Sequence, residues 1–275
     1  MIKNKIILKR VGIFSQQLEP SLYNFLKDWF MPQHIEISKL KEGLKSRNDL
    51  DLVISFGGDG TVLAALSLFP QCPVLAVNFG NVGFLTAGDR EDLEDMLQSV
   101  LDGNYIISER SVLACEHPHG TDYAVNEIVI RGATKLITVE LGINDQHIRR
   151  VRGDGVIVGT ATGSTAYLLA AGSPIVMPEL RCIIVTGLNE YDFRSRHLVI
   201  TADSKVRLAV SEQTHEKEIY LSVDGKEKVP LEIGEEVLIR ESSRKAKLIF
   251  MEKNYFFQNL SSRLSWFRSG ENSSI

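Results

Sequence analysis

The spacing of apolar and polar positions changes character once along this chain, near residue 105, and the predicted elements follow from that change. Before it, short apolar runs alternate with stretches of helical period. The runs over 6–14, 34–38, 52–56 and 73–79 read as strands. Behind Pro20, a residue suited to a first helical turn, Leu22, Leu26, Trp29 and Phe30 recur at i, i+4, i+7 and i+8. Leu93, Met96, Leu97, Val100 and Leu101 keep the i, i+3, i+4, i+7, i+8 rhythm and predict a helix over 89–101, ended by Gly103. Strands alternating with helices imply a mostly parallel, Rossmann-like sheet covered on both faces, an α/β domain over 1–105.

Beyond residue 105, strand-like segments follow one another with little helix between them, over 111–115, 123–130, 137–143, 156–159, 183–186, 206–210, 219–223 and 236–240. They predict a mainly β domain over 106–254. Phe257, Leu260, Leu264 and Phe267 return to helical spacing, so a closing helix over about 255–268 is expected to pack back and join the first domain. Residues 269–275 read as a frayed tail.

Composition narrows the partners. A formal net charge of -4 over 275 residues, with 24% charged, gives no global attraction to nucleic acid or to an anionic membrane. Cys72, Cys115 and Cys182 are far apart and have no paired spacing. They are expected to be buried thiols in a reducing, cytoplasmic setting. The basic start ahead of Ile6-Ile7-Leu8 is broken by Lys9 and Arg10, too short for a secretory segment, and no apolar run reaches the roughly 18 residues of a membrane span.

Candidate chemistry begins at 55–61, Ser-Phe-Gly-Gly-Asp-Gly-Thr, between an apolar run and a helix-like one. Glycines that let amides approach an anion, at a helix start carrying partial positive charge, suit phosphate. A tight turn capped by Asp59 explains the same residues equally well. The loop at 78–85 follows the next strand and would emerge at the same carboxyl edge, where ligands of such sheets sit. At 124–130, Asn126 and Glu127 interrupt an apolar strand. Alternation sends one of them inward unless the strand bends or a ligand lies across it, and a buried carboxylate is costly without partners. The string over 152–167, with Arg152, Asp154 and a hydroxyl-rich turn before Tyr167, suits a ribose, an adenine edge or a phosphate, or a well-capped helix. His117-Pro118-His119 offers two imidazoles without a third ligand and reads as a surface loop, and 41–47 reads as a solvated helix face.

Taken in order, GGDGT at 57–61, GxxGFLT at 80–86, NE at 126–127, GDG and TGSTAY within 153–167, Asp224-Gly225, and Tyr255-Phe256-Phe257 with Leu260-Ser261-Ser262 resemble the NAD kinase family from about residue 52 to Trp266. The GGDG string alone is shared with diacylglycerol, sphingosine and phosphofructo-kinases, which leave the NE and TGSTAY strings unexplained. A dinucleotide-binding regulator without turnover is the rival from another class.

The resemblance implies transfer of a phosphoryl group from ATP, another nucleotide or polyphosphate to the 2'-hydroxyl of the adenosine ribose of NAD. A divalent cation such as Mg²⁺ would accompany the donor, with no protein metal ligands assigned. It implies Asp59 as the catalytic carboxylate and Gly57, Gly58, Gly60 and Thr61 as the donor phosphate loop. For NAD it implies contacts from Asp59, Gly60, Leu63, Phe84, Asn126, Glu127, Arg152, Asp154, Thr162, Thr165, Ala166, Tyr167 and Ala170, with Arg152 in the partner half of the site. A homodimer or homotetramer is expected. Ala161, Phe79, Lys226 and the loop over 187–196 depart from the family pattern and bear on donor choice and regulation more than on the reaction.

Overall fold

Five-residue apolar runs buried on both faces need helices on both sides of a sheet, and the first part of the chain is built that way. The computed structural model describes residues 6–41, 49–80, 83–226 and 229–264. The chain divides into two compact units, Met1–Glu109 with Ala246–Ile275, and Arg110–Lys245. Most of the polar stretch expected over 41–47, the loop residues Asn81 and Val82, Trp266 and Phe267, and the tail over 269–275 lie outside the described residues.

In the first unit β1 (Arg10–Phe14), α1 (Pro20–Phe30), β2 (Glu36–Leu40), β3 (Leu52–Phe56), α2 (Asp59–Leu68) and β4 (Val74–Asn78) form a parallel sheet in the order β2-β1-β3-β4. The two-residue strand β5 (Gly88–Asp89) runs parallel beside β4. All of β3 and β4 is buried. Helix α1 turns Leu22, Leu26 and Phe30 inward against α3 (Leu93–Asp102), which contributes Leu93, Met96, Leu97 and Val100 to the same core. The expected helix over 89–101 is α-helical only from Leu93. Its first turn, Arg90–Asp92, is a 3₁₀ turn closed by an Asp89/Asp92 capping box, and Gly103 ends the helix at φ 78°.

The second unit is a pair of antiparallel layers. Lying wholly or mostly in it are β6 (Ile106–His117), β7 (Gly120–Ala124), β8 (Glu127–Gly132), β9 (Ile137–Ile143), β10 (Gln146–Gly153), β11 (Gly155–Thr160), β12 (Cys182–Leu188), β13 (Leu198–Thr201), β14 (Lys205–Val210), β15 (Ile219–Val223), β16 (Val229–Leu231) and β17 (Glu236–Phe250). One layer runs β13-β12-β11-β8-β15-β16 and the other β10-β9-β14-β17. Ile128, Ile130, Val156, Val158 and Leu221 of the first meet Val139, Leu141, Val206, Leu208 and Ile239 of the second in one core. Strands β10, β13 and β16 escaped the apolar pattern for physical reasons. The first is mostly polar and exposed, the second half-exposed, and the third three residues long with Pro230 at its centre.

One expectation is corrected and one refined. The strand expected over 123–130 breaks into β7 and β8 at Val125-Asn126. The surface loop expected at His117-Pro118-His119 is the exposed tip of the β6–β7 hairpin, and only the His117 ring departs from it, being buried with its Nε2 3.0 Å from Asp122 Oδ2. The three cysteines are unpaired and buried, as expected, and among the described residues no helix is long and apolar enough to cross a membrane. The closing helix α5 (Tyr255–Leu264) packs within the first unit. Tyr255 stacks on Phe250 with ring centroids 3.6 Å apart, and Asn259 Nδ2 donates to Thr86 O at 3.2 Å.

Glu216 secures a turn of the second unit. Its carboxylate accepts the amides of Glu218, Thr134, Lys135 and Lys217 and the Thr134 hydroxyl, at 2.7–3.1 Å. These bonds, the Glu218 amide foremost, hold its pKa down to about 2. A depressed carboxyl stabilises the fold above its unfolded value and loses that contribution as pH falls toward 2. Glu216→Gln is therefore expected to lower the melting temperature at pH 7 and to differ progressively less from the wild type between pH 4.5 and pH 2.5. Thermal melts across that range check it.

Candidate active site

The glycine-rich turn after β3 is shaped by Asp59, the first residue of α2. Both carboxylate oxygens accept backbone amides from the next loop, Oδ2 from Phe84 and Oδ1 from Leu85, each at 3.0 Å. A Cβ on Gly83 would overlap Asp59 Oδ1, which is why glycine stands there. The loop over 83–86 is thus tied to the turn over 57–61 by one side chain. Gly58 and Gly60 face open space, and the Asp59 and Gly60 amides head a helix, where N–H groups have no intrahelical acceptor. Gly57 differs from the sequence expectation. Its amide donates to Val77 O at 3.1 Å, which takes it out of the phosphate set, and its φ of 151°, with the Thr61 side chain where a Cβ would stand, makes it the residue that turns the chain. Leu63 is buried in α2, and Phe84 lies under the Arg263 guanidinium, 5.5 Å from its ring centroid.

In the second unit the break between β7 and β8 is made by Asp224. Its carboxylate accepts the amides of Val125 at 2.9 Å, Asn126 at 2.8 Å and Glu127 at 3.1 Å. Three successive amides pulled to one acceptor cannot also serve a sheet ladder, so the strand turns a corner. The turn after β11 locks against that corner. Thr160 donates its amide to Asn126 O at 2.9 Å and its hydroxyl to Val125 O at 2.6 Å, and the same hydroxyl oxygen accepts the Gly163 amide at 3.1 Å. A Cβ on Gly163 would overlap the Asn126 carbonyl oxygen, so only glycine allows the approach.

Asn126, Glu127, Thr162, Thr165, Ala166 and Tyr167 are gathered around this corner. Thr162 Oγ1 accepts from the fully buried Arg110 at 3.2 Å, and Thr165 Oγ1 donates to Thr162 O at 3.2 Å. The hydroxyl string forms a 3₁₀ turn, Thr162–Thr165, followed by the single-turn helix α4 (Tyr167–Ala170), with Tyr167 and Ala170 exposed.

Glu127 is the strained member of the set. It is 6% exposed, and its Oε2 is buried without a hydrogen-bond partner. Burial, with the Asp224 charge adding to it and the Tyr167 amide opposing, pushes its pKa up to about 7. Burial likewise raises Asp224 against the pull of its three amides and of Lys226. A cavity of about 380 Å³ opens beside Glu127 and Tyr167 and is lined also by Arg131, Tyr220 and Lys226.

Arg152 and Asp154 lie elsewhere. They sit at the opposite end of β11, whose Gly155 pairs with Arg131 while Gly159 pairs with Glu127. At about 3.3 Å per residue they are roughly 20 Å of strand away from the corner. Asp154 Oδ2 accepts from Asn189 Nδ2 at 2.7 Å, and Arg152 lies 5.2 Å over the Tyr191 ring. The glycines on either side of Asp154 are imposed by backbone, since a Cβ on Gly153 would meet Leu188 O and one on Gly155 would meet Ile130 O. The departing loop is anchored by Glu190, which bonds Arg149 and Ser195.

Sequence reasoning missed the roles of Thr160, Arg110 and Asp224. The Asp224-Gly225 pair entered only through the family resemblance, and both residues have left-handed φ, 49° and 68°. Nothing local to residue 224 announces acceptors for amides about a hundred positions earlier. Among the described residues no group of three or more His, Cys, Asp and Glu side chains could hold a metal ion.

Residues 20–105 match the ATP-NAD kinase N-terminal domain and residues 125–251 the ATP-NAD kinase C-terminal domain. The NAD kinase of Methanothermobacter thermautotrophicus is 33% identical over 227 residues, 80% of either chain. That of Legionella pneumophila is 32% identical over 286 residues, 96% of either chain. A crystal structure of an NAD kinase from Archaeoglobus fulgidus in complex with ATP matches with a TM-score of 0.79 at 25% identity, covering 92% of this chain and 99% of that one. Both domains in order, with relatives of this identity along most of both chains, show that the chain belongs to the NAD kinase family.

Proposed function

We propose that this NAD kinase moves the γ-phosphoryl group of ATP to the 2'-hydroxyl of the adenosine ribose of NAD, with Asp59 as the carboxylate that orients that hydroxyl and takes its proton. The observation that carries the assignment is the setting of Asp59. It is a carboxylate fixed in place by two amides at 3.0 Å, at the head of a helix whose neighbouring glycines face open space. Phosphoryl transfer asks for positioning and charge neutralisation rather than covalent chemistry, and this loop supplies the first.

On this reading the Gly58 and Gly60 amides meet donor phosphate oxygens, Thr61 stiffens the turn, and Asn126 and Glu127 hold the adenosine part of NAD. Thr162, Thr165, Ala166, Tyr167 and Ala170 border the same substrate, with Leu63 and Phe84 as apolar contacts in the donor unit. The unpaired Oε2 of Glu127 is the strongest sign of a missing partner, since a ribose hydroxyl would satisfy it. A divalent cation fits as a companion of the donor, chelated by phosphate oxygens, and would neutralise charge on the triphosphate.

Arg152 and Asp154 stand roughly 20 Å of strand from the Asn126 corner. With Arg152 in the partner half of the site, as the family resemblance implies, the chain works as a homodimer or homotetramer. The buried unpaired thiols support a cytoplasmic setting. Phe79, Lys226 and the loop over 187–196 are proposed to set donor preference and regulation.

The reading is tested by a coupled assay for NADP formation with ATP, other nucleotides and polyphosphate as donors. Binding of NAD with no product from any donor would replace the enzyme with a non-catalytic regulator. Asp59→Asn is expected to lower turnover by about 10²–10⁴-fold while NAD still binds, the range removed with a general base; turnover near wild type would take Asp59 out of the role. Glu127 gives a pH signature. A carboxyl with a raised folded pKa favours the fold below its unfolded value, and that contribution is lost as pH rises through about 7. Without NAD, Glu127→Gln should therefore raise the melting temperature at pH 8 and leave it nearly unchanged at pH 4, while weakening NAD binding. Melts and titration calorimetry at the two pH values check both parts.

A further inference from the structure

We infer that Arg263 of helix α5 is a second charged group of the donor loop, placing its guanidinium on the phosphates of the phosphoryl donor beside Asp59; the inference rests on the reading of Asp59 above. Arg263 Nη2 lies 3.9 Å from Asp59 Oδ2, beyond hydrogen-bond distance. The carboxylate does not need it, because both oxygens already accept the Phe84 and Leu85 amides. The guanidinium rests 5.5 Å over the Phe84 ring. Among the described residues its N–H groups donate to no acceptor within hydrogen-bond distance. Both side chains keep solvent access, 36% for Arg263 and 28% for Asp59, next to the open space over Gly58 and Gly60.

The cation is held there by its helix. Asn259, one turn earlier on the same face, donates to Thr86 O at 3.2 Å and Phe84 O at 3.5 Å. The segment over 84–86 is therefore gripped by Asp59 from one side and by α5 from the other. A planar guanidinium in such a frame suits bidentate contact with phosphate oxygens, which a lysine's point charge does not reproduce. During transfer the ribose 2'-oxygen bonds to the γ-phosphorus, the bond to the β–γ bridging oxygen breaks, and the hydroxyl proton passes to Asp59. Arg263 neither gains nor loses a proton. It carries N–H donors to the non-bridging oxygens, where negative charge stands in the transition state.

The test uses the full-length chain with Arg263→Gln, Arg263→Lys and Asn259→Ala. Arg263→Gln should lower kcat/KM for ATP by about 10²–10³-fold, somewhat less than an arginine finger supplies, with the NAD dissociation constant and melting temperature unchanged. Arg263→Lys should fall between that variant and the wild type. Added guanidinium ion should restore part of the activity of Arg263→Gln and none in Asn259→Ala, which keeps the cation and loosens its support. Values of kcat/KM within about twofold of wild type, less than 0.5 kcal/mol, would overturn the proposal. So would lost activity accompanied by a lower melting temperature and no guanidinium rescue, the mark of a purely structural contact. Failure of the Asp59 reading is separable, because it would show as retained turnover in Asp59→Asn whatever Arg263 does.

Discussion

One carboxylate decides the shape of the corner between β7 and β8. Asp224, at a left-handed φ of 49°, gathers the amides of Val125, Asn126 and Glu127. A continuous strand over these residues would have sent Asn126 and Glu127 to opposite faces. With three amides drawn to one acceptor the strand breaks, and both side chains belong to the same bend. Everything that meets the bend depends on it, namely the two Thr160 bonds, the contact that only Gly163 permits, and the 3₁₀ turn carrying Thr162 and Thr165. The arrangement has a cost in the free protein. Asp224 and Glu127 are neighbouring carboxyls, both pushed up by burial, and Glu127 Oε2 has no partner. Polar groups buried unsatisfied are expensive, and a substrate hydroxyl would relieve that expense.

The first unit solves a similar problem by the same means. Asp59 takes two amides of the following loop and so fixes the segment over 83–86 against the glycine turn. In both units an aspartate bonded to backbone holds a non-repetitive segment at the end of a β-strand. The difference is exposure. Asp59 keeps access to solvent at the head of a helix, whereas burial raises the pKa of Asp224. Structural anchoring and participation in proton transfer are compatible in Asp59, because a carboxylate has about four lone-pair sites and the two amides use only two.

Much of this was legible in the sequence, for identifiable reasons. The apolar periods of Leu22, Leu26 and Phe30, and of Leu93, Met96, Leu97 and Val100, have a single helical solution, and those residues are buried. The runs over 52–56, 137–143 and 219–223 are strands with those bounds. The order of the glycine-rich strings carried the family. What stayed hidden depends on long-range contact. The Asp224 bonds span 97–99 positions. Arg110, just ahead of the run over 111–115 that reads as a strand, is fully buried against Thr162. Gly57 read as a phosphate ligand because local pattern cannot show that Val77 claims its amide. The strand β10 hid because its exposed face is arginine-rich.

The claim that the Asp224 corner creates the NAD site is tested most directly by the affinity of Asp224→Asn for NAD. Asparagine tolerates the left-handed backbone, so the turn survives, but the carboxamide has one acceptor oxygen for three amides and faces the others with N–H. The account predicts a dissociation constant raised at least about tenfold, the equivalent of roughly 1.4 kcal/mol, with the β-sheet circular dichroism unchanged. An unchanged dissociation constant by titration calorimetry would contradict it.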